Sequence, residues 1–351
     1  MTNTRKWLGG VRRIAAQHEQ RHVPGDDPGA AAAAAPRDYR HPSVPGGYPG
    51  ARVELHAALL ASAPFIPSKY FYDPLGSRLF EAITRLPEYY LTRVETGIFS
   101  RYAQQIGRIT GRGATLIDLG AGNCEKAKRL FGVLQPAQYV AVDLSTEYLR
   151  EALNSMRYLF SGMEMLALAL DLSGPFSLPD AVRARKRLFF YPGSSIGNFT
   201  PEQAHAFLAA VRSQCDEDGA ILISVDLVKD KAVLDAAYDD ALGVTAAFNL
   251  NVLEHVNALL GSDFDFRDWR HVAFFNEPAS RVEMHLEAKR GVSVTWPGGG
   301  RDFERGERIH TENSYKYRLR DFEVMLTRAG FRDLIAWTDE KQWYAVCYAR
   351  A

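Results

Sequence analysis

The sequence has few cysteines, no excess of either charge and no long apolar run. Its three cysteines are widely spaced and lie in no Cys-x-x-Cys pair, and its nine histidines lack metal-ligand spacing, so neither a disulfide framework nor a zinc site is indicated. Lysine plus arginine equal aspartate plus glutamate at 42 each, which gives no electrostatic reason to expect nucleic acid or an anionic membrane as the main partner. No apolar run approaches the roughly 18 residues of a membrane span. We therefore expect a soluble, cytoplasmic, metal-free protein with reduced thiols.

The first fifty residues differ from the rest of the 351-residue chain. They begin with a basic stretch, contain an alanine run at 30–35 and carry six prolines. A targeting presequence would show this basic, alanine-rich character, but Glu19, Asp26 and Asp27 dilute it and an apolar h-region is missing. We predict a disordered extension over residues 1–50.

A glycine turn between two apolar runs is the clearest local signal. Residues 115–119 lead into Gly120-Ala121-Gly122, and a second apolar run ends in Asp143 about twenty residues later. A strand, a glycine turn, a helix and a second strand ending in an acid are typical of a nucleoside site, in which Asp143 would accept hydrogen bonds from ribose hydroxyls. A dinucleotide site would usually have a third glycine where this chain has Glu125. The carboxylate argues against a phosphate and favours S-adenosylmethionine.

Short apolar runs alternate with helical patterns from Ala114 onward, which predicts a parallel sheet with helices on both faces. The rhythm breaks after the fifth strand, and a long insertion at 229–317 holds a helical segment at 233–260 and strand patterns at 281–288 and 291–296. A helix at 319–329 and an antiparallel hairpin then close the chain, an ending typical of class I methyltransferases. The predicted strands are 115–119, 138–143, 163–170, 186–191 and 220–225, with helices at 126–133, 147–158 and 201–214 between them.

The predicted fold is a Rossmann-like, seven-stranded α/β methyltransferase domain with an added substrate lobe. We predict that residues 96–228 with 318–351 form the methyltransferase domain, and that residues 51–95 with 229–317 form the lobe. Within this fold Gly120 and Gly122 would line the cofactor, Asp143 would hold its ribose and Asp171 its adenine amino group. Asp171 could equally be a turn acid. Lys126 could reach the methionine carboxylate of the cofactor or be a solvated helix residue.

Polar residues after the fourth strand are candidates for binding the methyl acceptor. The loop 192–200 holds two glycines, two serines and Asn198, which could bind a substrate carboxylate or amine, or could simply form turns. Tyrosines at 70, 72, 89, 90 and 238 could belong to the site or to the core. The acid pairs Asp226/Asp230 and Asp239/Asp240 are interpreted as solvated faces or helix caps. Ser194-Ser195 fits a hydrolase nucleophile turn poorly.

Several longer strings resemble the histidine-specific N-alpha-methyltransferases that form hercynine, the first intermediate of ergothioneine biosynthesis. The resemblance runs from about Pro67 to the C-terminus. It is carried by 69–73 (KYFYD) with Gly76-Ser77, 86–93 (LPEYYLTR), 193–200 (GSSIGNFT), 226–230 (DLVKD) and 237–251 (AYDDALGVTAAFNLN).

The resemblance implies roles for residues of the acceptor site. It implies that Asn198 and Tyr238 hold the carboxylate of L-histidine and that Tyr72, Tyr89 and Gly193 lie near its amine. A Glu-x-Ser pair would read the imidazole, with an apolar residue as a wall, and the matching residues are Glu312, Ser314 and Met284. Of these, Tyr72, Tyr89 and Asn198 would orient the reacting amine.

Two departures from the family pattern lie at the cofactor. Asn123-Cys124 replaces the more usual Thr-Ser in the glycine turn, and Leu172 replaces a phenylalanine that often follows the adenine-binding acid. Both changes are small and should alter cofactor affinity before they alter the reaction.

The sequence thus predicts trimethylation of the α-amino group of L-histidine with S-adenosylmethionine as donor, by a monomer. The amine protons would leave through water, without a single dominant general base. The alternatives are methylation of another amino acid or an indole amine, a non-catalytic cofactor-binding module, and NAD-dependent oxidoreduction.

Overall fold

The computed structural model describes residues 50–144 and 146–351. The extension predicted over residues 1–50 therefore lies outside the described residues, apart from residue 50. Within the described residues, no helix is both long and apolar enough to cross a membrane. The helices are α1 (Ala51–Leu60), α2 (Pro74–Ile83), α3 (Tyr90–Thr110), α4 (Glu125–Lys128), α5 (Phe131–Leu134), α6 (Thr146–Leu159), α7 (Pro201–Ser213), α8 (Lys231–Tyr238), α9 (Val244–Leu260) and α10 (Leu319–Arg328).

A seven-stranded sheet carries the predicted methyltransferase topology. Its strands are β1 (Thr115–Leu119), β2 (Gln138–Asp143), β3 (Glu164–Ala169), β4 (Arg187–Tyr191), β5 (Ala220–Asp226), β11 (Arg332–Thr338) and β12 (Tyr344–Arg350). They lie in the order β11-β12-β5-β4-β1-β2-β3. Strands β1 to β5 are parallel, and β12 runs antiparallel to both β5 and β11. The predicted fold class is confirmed, including the closing antiparallel hairpin.

The strands of this sheet are buried on both faces, as a parallel sheet covered by helices requires. Alternate residues belong to two separate apolar clusters, so that Leu116 and Phe190 pack on one face while Ile117 and Phe189 pack on the other. The order of the strands reverses between β1 and β4, which are neighbours. Because the turn at Gly120 follows β1 and the loop 192–200 follows β4, the fold brings these two segments to the same edge.

The inserted region builds two small antiparallel sheets. Strands β6 (Trp269–Asn276), β7 (Arg281–Ala288) and β10 (Arg308–Tyr315) form one sheet in the order β10-β7-β6. Strands β8 (Val292–Trp296) and β9 (Gly299–Phe303) form a hairpin, of which the sequence predicted only the first strand. The short helical segment Ser195–Asn198 in the loop after β4 packs against β10.

Two predicted helices are each broken in two. The helix predicted over 233–260 is α8 followed by α9, because Gly243 adopts a positive φ of 73° and the Asp240 carboxylate accepts hydrogen bonds from the backbone N–H groups of Val244 and Thr245. The break places Tyr238 at the last residue of α8. The helix predicted over 126–133 is likewise α4 and α5, each of a single turn.

One prediction about an acidic residue is wrong. Asp226, interpreted from the sequence as solvated or capping, is fully buried at the end of β5. Its companions do serve as caps: Asp230 begins α8, where its carboxylate accepts from the backbone N–H of Ala232, and Asp239 follows the end of the same helix.

Gly197 sets how closely the loop after β4 approaches β10. A Cβ atom at this residue would lie 2.9 Å from the backbone oxygen and 3.2 Å from the backbone nitrogen of Tyr315. Gly197→Ala should therefore lower the free energy of unfolding by about 1–3 kcal/mol, because two backbones would have to move apart.

Urea unfolding followed by circular dichroism measures this effect. Gly97→Ala is the control, since a Cβ atom there meets no heavy atom of the described residues within 4 Å and the residue lies inside α3. The control should gain about 0.5–1 kcal/mol from helix propensity. Equal stability of the two variants would contradict the close approach.

Candidate active site

The glycine turn after β1 presents an open backbone surface beside an acid. Gly120 and Gly122 adopt φ values of 70° and 52°, and a Cβ atom at either would meet no heavy atom of the described residues within 4 Å. Backbone N–H groups of Gly120 and Ala121 donate to the Val142 carbonyl, and that of Gly122 donates to Asp143 Oδ2 over 2.9 Å. The turn is thereby fixed to the end of β2. An open turn with a carboxylate beside it suits a ribose better than a phosphate.

Asp171 lies just after β3 and is held as a carboxylate. Its Oδ1 accepts from the Ser173 backbone N–H over 2.9 Å, and its Oδ2 lies 3.0 Å from Lys69 Nζ. Burial alone would raise its pKa, but the hydrogen bonds from Ser173 and Lys69 hold that pKa below its usual range. The hydrogen bond from Ser173 shows that Asp171 forms a turn, which was one of the two interpretations from the sequence. Leu172 is half-buried and packs against the apolar cluster of the sheet.

Lys126 lies between the glycine turn and the loop after β4. Its Nζ is 2.6 Å from Glu95 Oε2, and a Cβ atom at Gly193 would lie 3.0 Å from the same nitrogen. Glu95 is 1% exposed, so this ion pair compensates a buried charge. Lys126 is therefore not a simple solvated helix residue, which was one of the two interpretations from the sequence.

Glu95 of α3 joins three parts of the sheet edge. Besides pairing with Lys126, its carboxylate accepts from the Gly193 backbone N–H over 2.6 Å, from the Tyr344 hydroxyl over 3.0 Å and from the Ser224 hydroxyl. Burial would raise the pKa of Glu95, but Lys126 and these donors hold it below its usual value. The glycine turn and the loop after β4 are thus fixed relative to each other by one carboxylate. No pattern in the sequence indicated this role.

A pocket beside this edge brings together every acceptor-site residue named from the sequence. Aromatic and apolar side chains of α2, α3 and α9, including Phe80, Leu91 and Phe248, complete its wall. The predicted residues that line it are Tyr72, Tyr89, Gly193, Asn198, Tyr238, Met284, Glu312 and Ser314.

Strand β10 places Glu312 and Ser314 on the same side. Residues two apart on a strand point to one face, and Glu312 pairs directly with Met284 of β7, which puts the apolar wall opposite the acid. A register shift between His310 and Glu312 precedes this pairing. Thr311, the extra residue, is anchored by hydrogen bonds to Asn249 Oδ1 and the Met284 carbonyl.

Glu312 places a titratable carboxyl group in the pocket. In the orientation that satisfies its amide, Asn198 Nδ2 donates to Glu312 Oε1 over 3.2 Å and to the Asn313 carbonyl over 3.1 Å. Burial raises the pKa of Glu312 to about 7, although Lys316 and Asn198 oppose the shift. A carboxyl group with such a pKa can accept an N–H or share a proton with a basic nitrogen near neutral pH.

The tyrosines of the pocket are neutral hydroxyl donors. Burial raises the pKa of Tyr72, Tyr89 and Tyr238 well above its ordinary value. The rings of Tyr89 and Tyr238 meet edge to face with centroids 6.3 Å apart. None of the three can therefore act as a phenolate base at neutral pH, but each can donate a hydrogen bond to a ligand.

A buried group of charges behind Tyr238 was missed from the sequence. Asp226 carries ion pairs from Lys229 Nζ at 2.5 Å and Lys316 Nζ at 3.0 Å, and the Tyr90 hydroxyl donates to it over 2.6 Å. Both lysines are at most 3% exposed. Asp226 and Lys229 are three residues apart in the sequence, but nothing in the sequence indicated that Lys316, which follows β10, would join them.

Comparison with known proteins gives consistent matches. The family model described as histidine-specific methyltransferase, SAM-dependent, matches residues 51–351. Histidine N-alpha-methyltransferase of Mycolicibacterium smegmatis is 38% identical over 295 residues, which cover 82% of this chain and 91% of the relative. The protein of that name from Mycobacterium tuberculosis is 37% identical, with coverages of 84% and 92%. Ergothioneine biosynthesis protein 1 of Neurospora crassa is 31% identical over 78% of this chain and 32% of the longer relative.

The raised pKa of Glu312 gives a prediction about stability. The unfolded chain releases this proton near pH 4.5, whereas the folded protein retains it until about pH 7. Between these values the folded state binds more protons, so the group lowers the free energy of unfolding as pH rises. The free energy of unfolding of Glu312→Gln, relative to that of the unchanged protein, should therefore increase from pH 5 to pH 8. At pH 8 the variant should be more stable by about 1–3 kcal/mol.

Urea unfolding at several pH values without substrate measures the difference. Glu340→Gln, at a side chain that is 84% exposed, controls for the loss of one negative charge. A difference between Glu312→Gln and the unchanged protein that does not vary with pH would show that Glu312 ionises normally in the folded state.

Proposed function

The chain belongs to the family of histidine-specific, S-adenosylmethionine-dependent methyltransferases, and on this basis we propose that it trimethylates the α-amino group of L-histidine to give hercynine. It is a methyltransferase that uses S-adenosylmethionine, since the family model spans residues 51–351 and the fold is the expected one. The names of the relatives support histidine as acceptor and ergothioneine biosynthesis as the pathway.

The pairing of Glu312 with Ser314 in the pocket carries the proposal. A carboxylate that accepts an imidazole N–H and a hydroxyl that meets the second nitrogen fit the side chain of histidine. A side chain without these groups would leave Glu312 buried and without a ligand partner, which penalises its binding. Asn198, which reaches Glu312, and Tyr238, which reaches Ser314, would hold the carboxylate end of the same ligand.

Residues at the neighbouring edge fit the donor. Gly120 and Gly122 would lie against S-adenosylmethionine, Asp143 would accept from its ribose, and Asp171 with Leu172 would border the adenine. Lys126 would reach its methionine carboxylate by leaving or sharing Glu95. When bound, the cofactor supplies a methyl group on a cationic sulfonium, so the transfer needs no nucleophilic side chain.

Positioning is the main contribution of the protein. Holding the amine in line with the methyl carbon is worth up to roughly 7–11 kcal/mol for well-oriented reactants. Tyr72, Tyr89 and the Gly193 backbone would direct the lone pair of the amine, and water would take its protons. The elements of residues 51–95 and 229–317 would act as a lobe that closes over the donor and excludes bulk water. We picture a monomeric, metal-free enzyme of the cytosol that acts on the free amino acid.

The substrate proposal predicts the outcome of a direct assay. Incubation with methyl-labelled S-adenosylmethionine and a panel of amino acids should add three methyl groups to L-histidine alone, as measured by mass spectrometry. Glu312→Ala should lower kcat/KM for L-histidine by about 100- to 1000-fold and abolish the preference for it over other amino acids.

Asn313→Ala is the matched control. Asn313 lies between Glu312 and Ser314 on the same strand, but its side chain bonds to His310 over 2.9 Å. This variant should retain the preference for L-histidine. Methylation of a different amino acid or of an indole amine would replace the acceptor in the proposal, and binding of the donor without any transfer would identify a non-catalytic module.

A further inference from the structure

Lys316 contacts two hydroxyl groups of the pocket, those of Tyr238 and Ser314. Its Nζ lies 2.8 Å from Tyr238 Oη, 2.8 Å from Ser314 Oγ and 3.0 Å from Asp226 Oδ2. Lys316 and Asp226 are both 0% exposed. An ammonium group has three N–H donors and no acceptor, so these three oxygens use its full capacity.

These contacts restrict where the hydroxyl protons can point. Tyr238 Oη and Ser314 Oγ each accept from Lys316, and they lie 2.7 Å from each other. One hydroxyl must donate to the other, which leaves a single hydroxyl proton for a ligand. If Tyr238 donates to the ligand, Ser314 donates to Tyr238, and the second lone pair of Ser314 must then accept from the ligand.

The charges behind the pair favour this arrangement for a substrate with a carboxylate. Asp226 carries one negative charge, while Lys229 and Lys316 carry two positive charges, so these three side chains together have an excess of one positive charge. Glu312 of the pocket is a further acid that interacts with Lys316. Lys316 lies 4.6 Å from the centroid of the Tyr238 ring. An anionic group of the ligand at the Tyr238 hydroxyl would balance this excess.

We propose that Lys316 is a positioning residue that sets the hydrogen-bond polarity of the acceptor pocket, with Tyr238 as donor to the substrate carboxylate and Ser314 as acceptor from a side-chain N–H. The inference rests on the proposed function and adds a specificity determinant to it. The substrate class that fits is an α-amino acid whose side chain offers an N–H to Ser314 and a second nitrogen that donates to the Glu312 carboxylate or shares its proton. A ligand without a carboxylate would not accept the hydrogen bond from Tyr238 that Lys316 orients, and it would bind more weakly.

Lys316→Met compared with Lys229→Met tests the proposal. Both lysines are buried partners of Asp226, but the hydrogen bonds of Lys229 among the described residues go to Tyr90, Asp226 and the Leu227 carbonyl. Lys316→Met should raise KM for L-histidine at least about 30-fold, whereas Lys229→Met should change it less than about threefold. Calorimetric binding of S-adenosylhomocysteine should stay within about twofold in both variants, which shows that the donor half is folded.

A double-mutant cycle separates positioning from structural support. Tyr238→Phe should raise KM for L-histidine at least about tenfold in the unchanged enzyme but less than about threefold when Lys316→Met is already present. Equal effects in the two backgrounds, or a KM for Lys316→Met within threefold of the unchanged enzyme, would overturn the proposal. If Lys316→Met fails to bind S-adenosylhomocysteine, Lys316→Gln, which retains two N–H donors without the charge, takes its place in the cycle.

A ligand comparison tests the polarity without changing a lysine. Tyr238→Phe should weaken binding of L-histidine at least about tenfold but that of histamine, which lacks the carboxylate, less than about threefold. Equal weakening of both ligands would overturn the assignment. If the unchanged enzyme does not methylate L-histidine, the proposed function fails, and the same cycle with the amino acid that it does methylate still decides the role of Lys316.

Discussion

Buried charges at the end of β5 constrain the rest of the site. Asp226 is fully buried, and a buried ion without partners would cost several kcal/mol. Its partners come from different parts of the chain: Tyr90 begins α3, Lys229 follows β5 and Lys316 follows β10. A shift of either lysine would leave a buried ammonium group without its partner, and a shift of Tyr90 would remove a hydrogen bond from Asp226. Because Lys316 directly follows β10, its ion pair with Asp226 sets the position of β10 and with it that of Glu312 and Ser314.

A second buried carboxylate, that of Glu95, constrains the segments that are proposed to bind the donor. Glu95 lies five residues after Tyr90 on α3. Its carboxylate pairs with Lys126, beside the glycine turn, and accepts from the Gly193 backbone N–H in the loop after β4. One helix thus fixes both the donor turn and the acceptor pocket. Methyl transfer needs an amine and a methyl carbon aligned within a fraction of an ångström, and small displacements are costly. Asp226 and Glu95, each paired with lysine and each in contact with or part of α3, supply this accuracy better than surface loops would.

The sequence predicted the sheet because its signals are local. Apolar runs, the glycine turn and the closing hairpin each follow from neighbouring residues, and the acceptor-site residues came from family strings that turned out to line one pocket. Asp226 was misjudged because burial depends on which segments pack around it, and Lys316 reaches it from ninety residues further along the chain. Glu95 was not singled out from the sequence for the same reason. The break between α8 and α9 was missed because Asp240 caps the second helix from within an apparently helical pattern.

The register of β10 decides which acceptor the pocket can read. If the register did not shift between His310 and Glu312, Met284 would pair with Thr311, and Glu312 would point to the opposite face of the sheet. The residues proposed to bind the donor, Gly120, Gly122 and Asp143, lie at the edge of a different sheet. Substitutions in β10 can therefore change the acceptor while leaving the donor site intact. The raised pKa of Glu312 shows that its position is unfavourable for folding, so its presence is better explained by recognition than by stability.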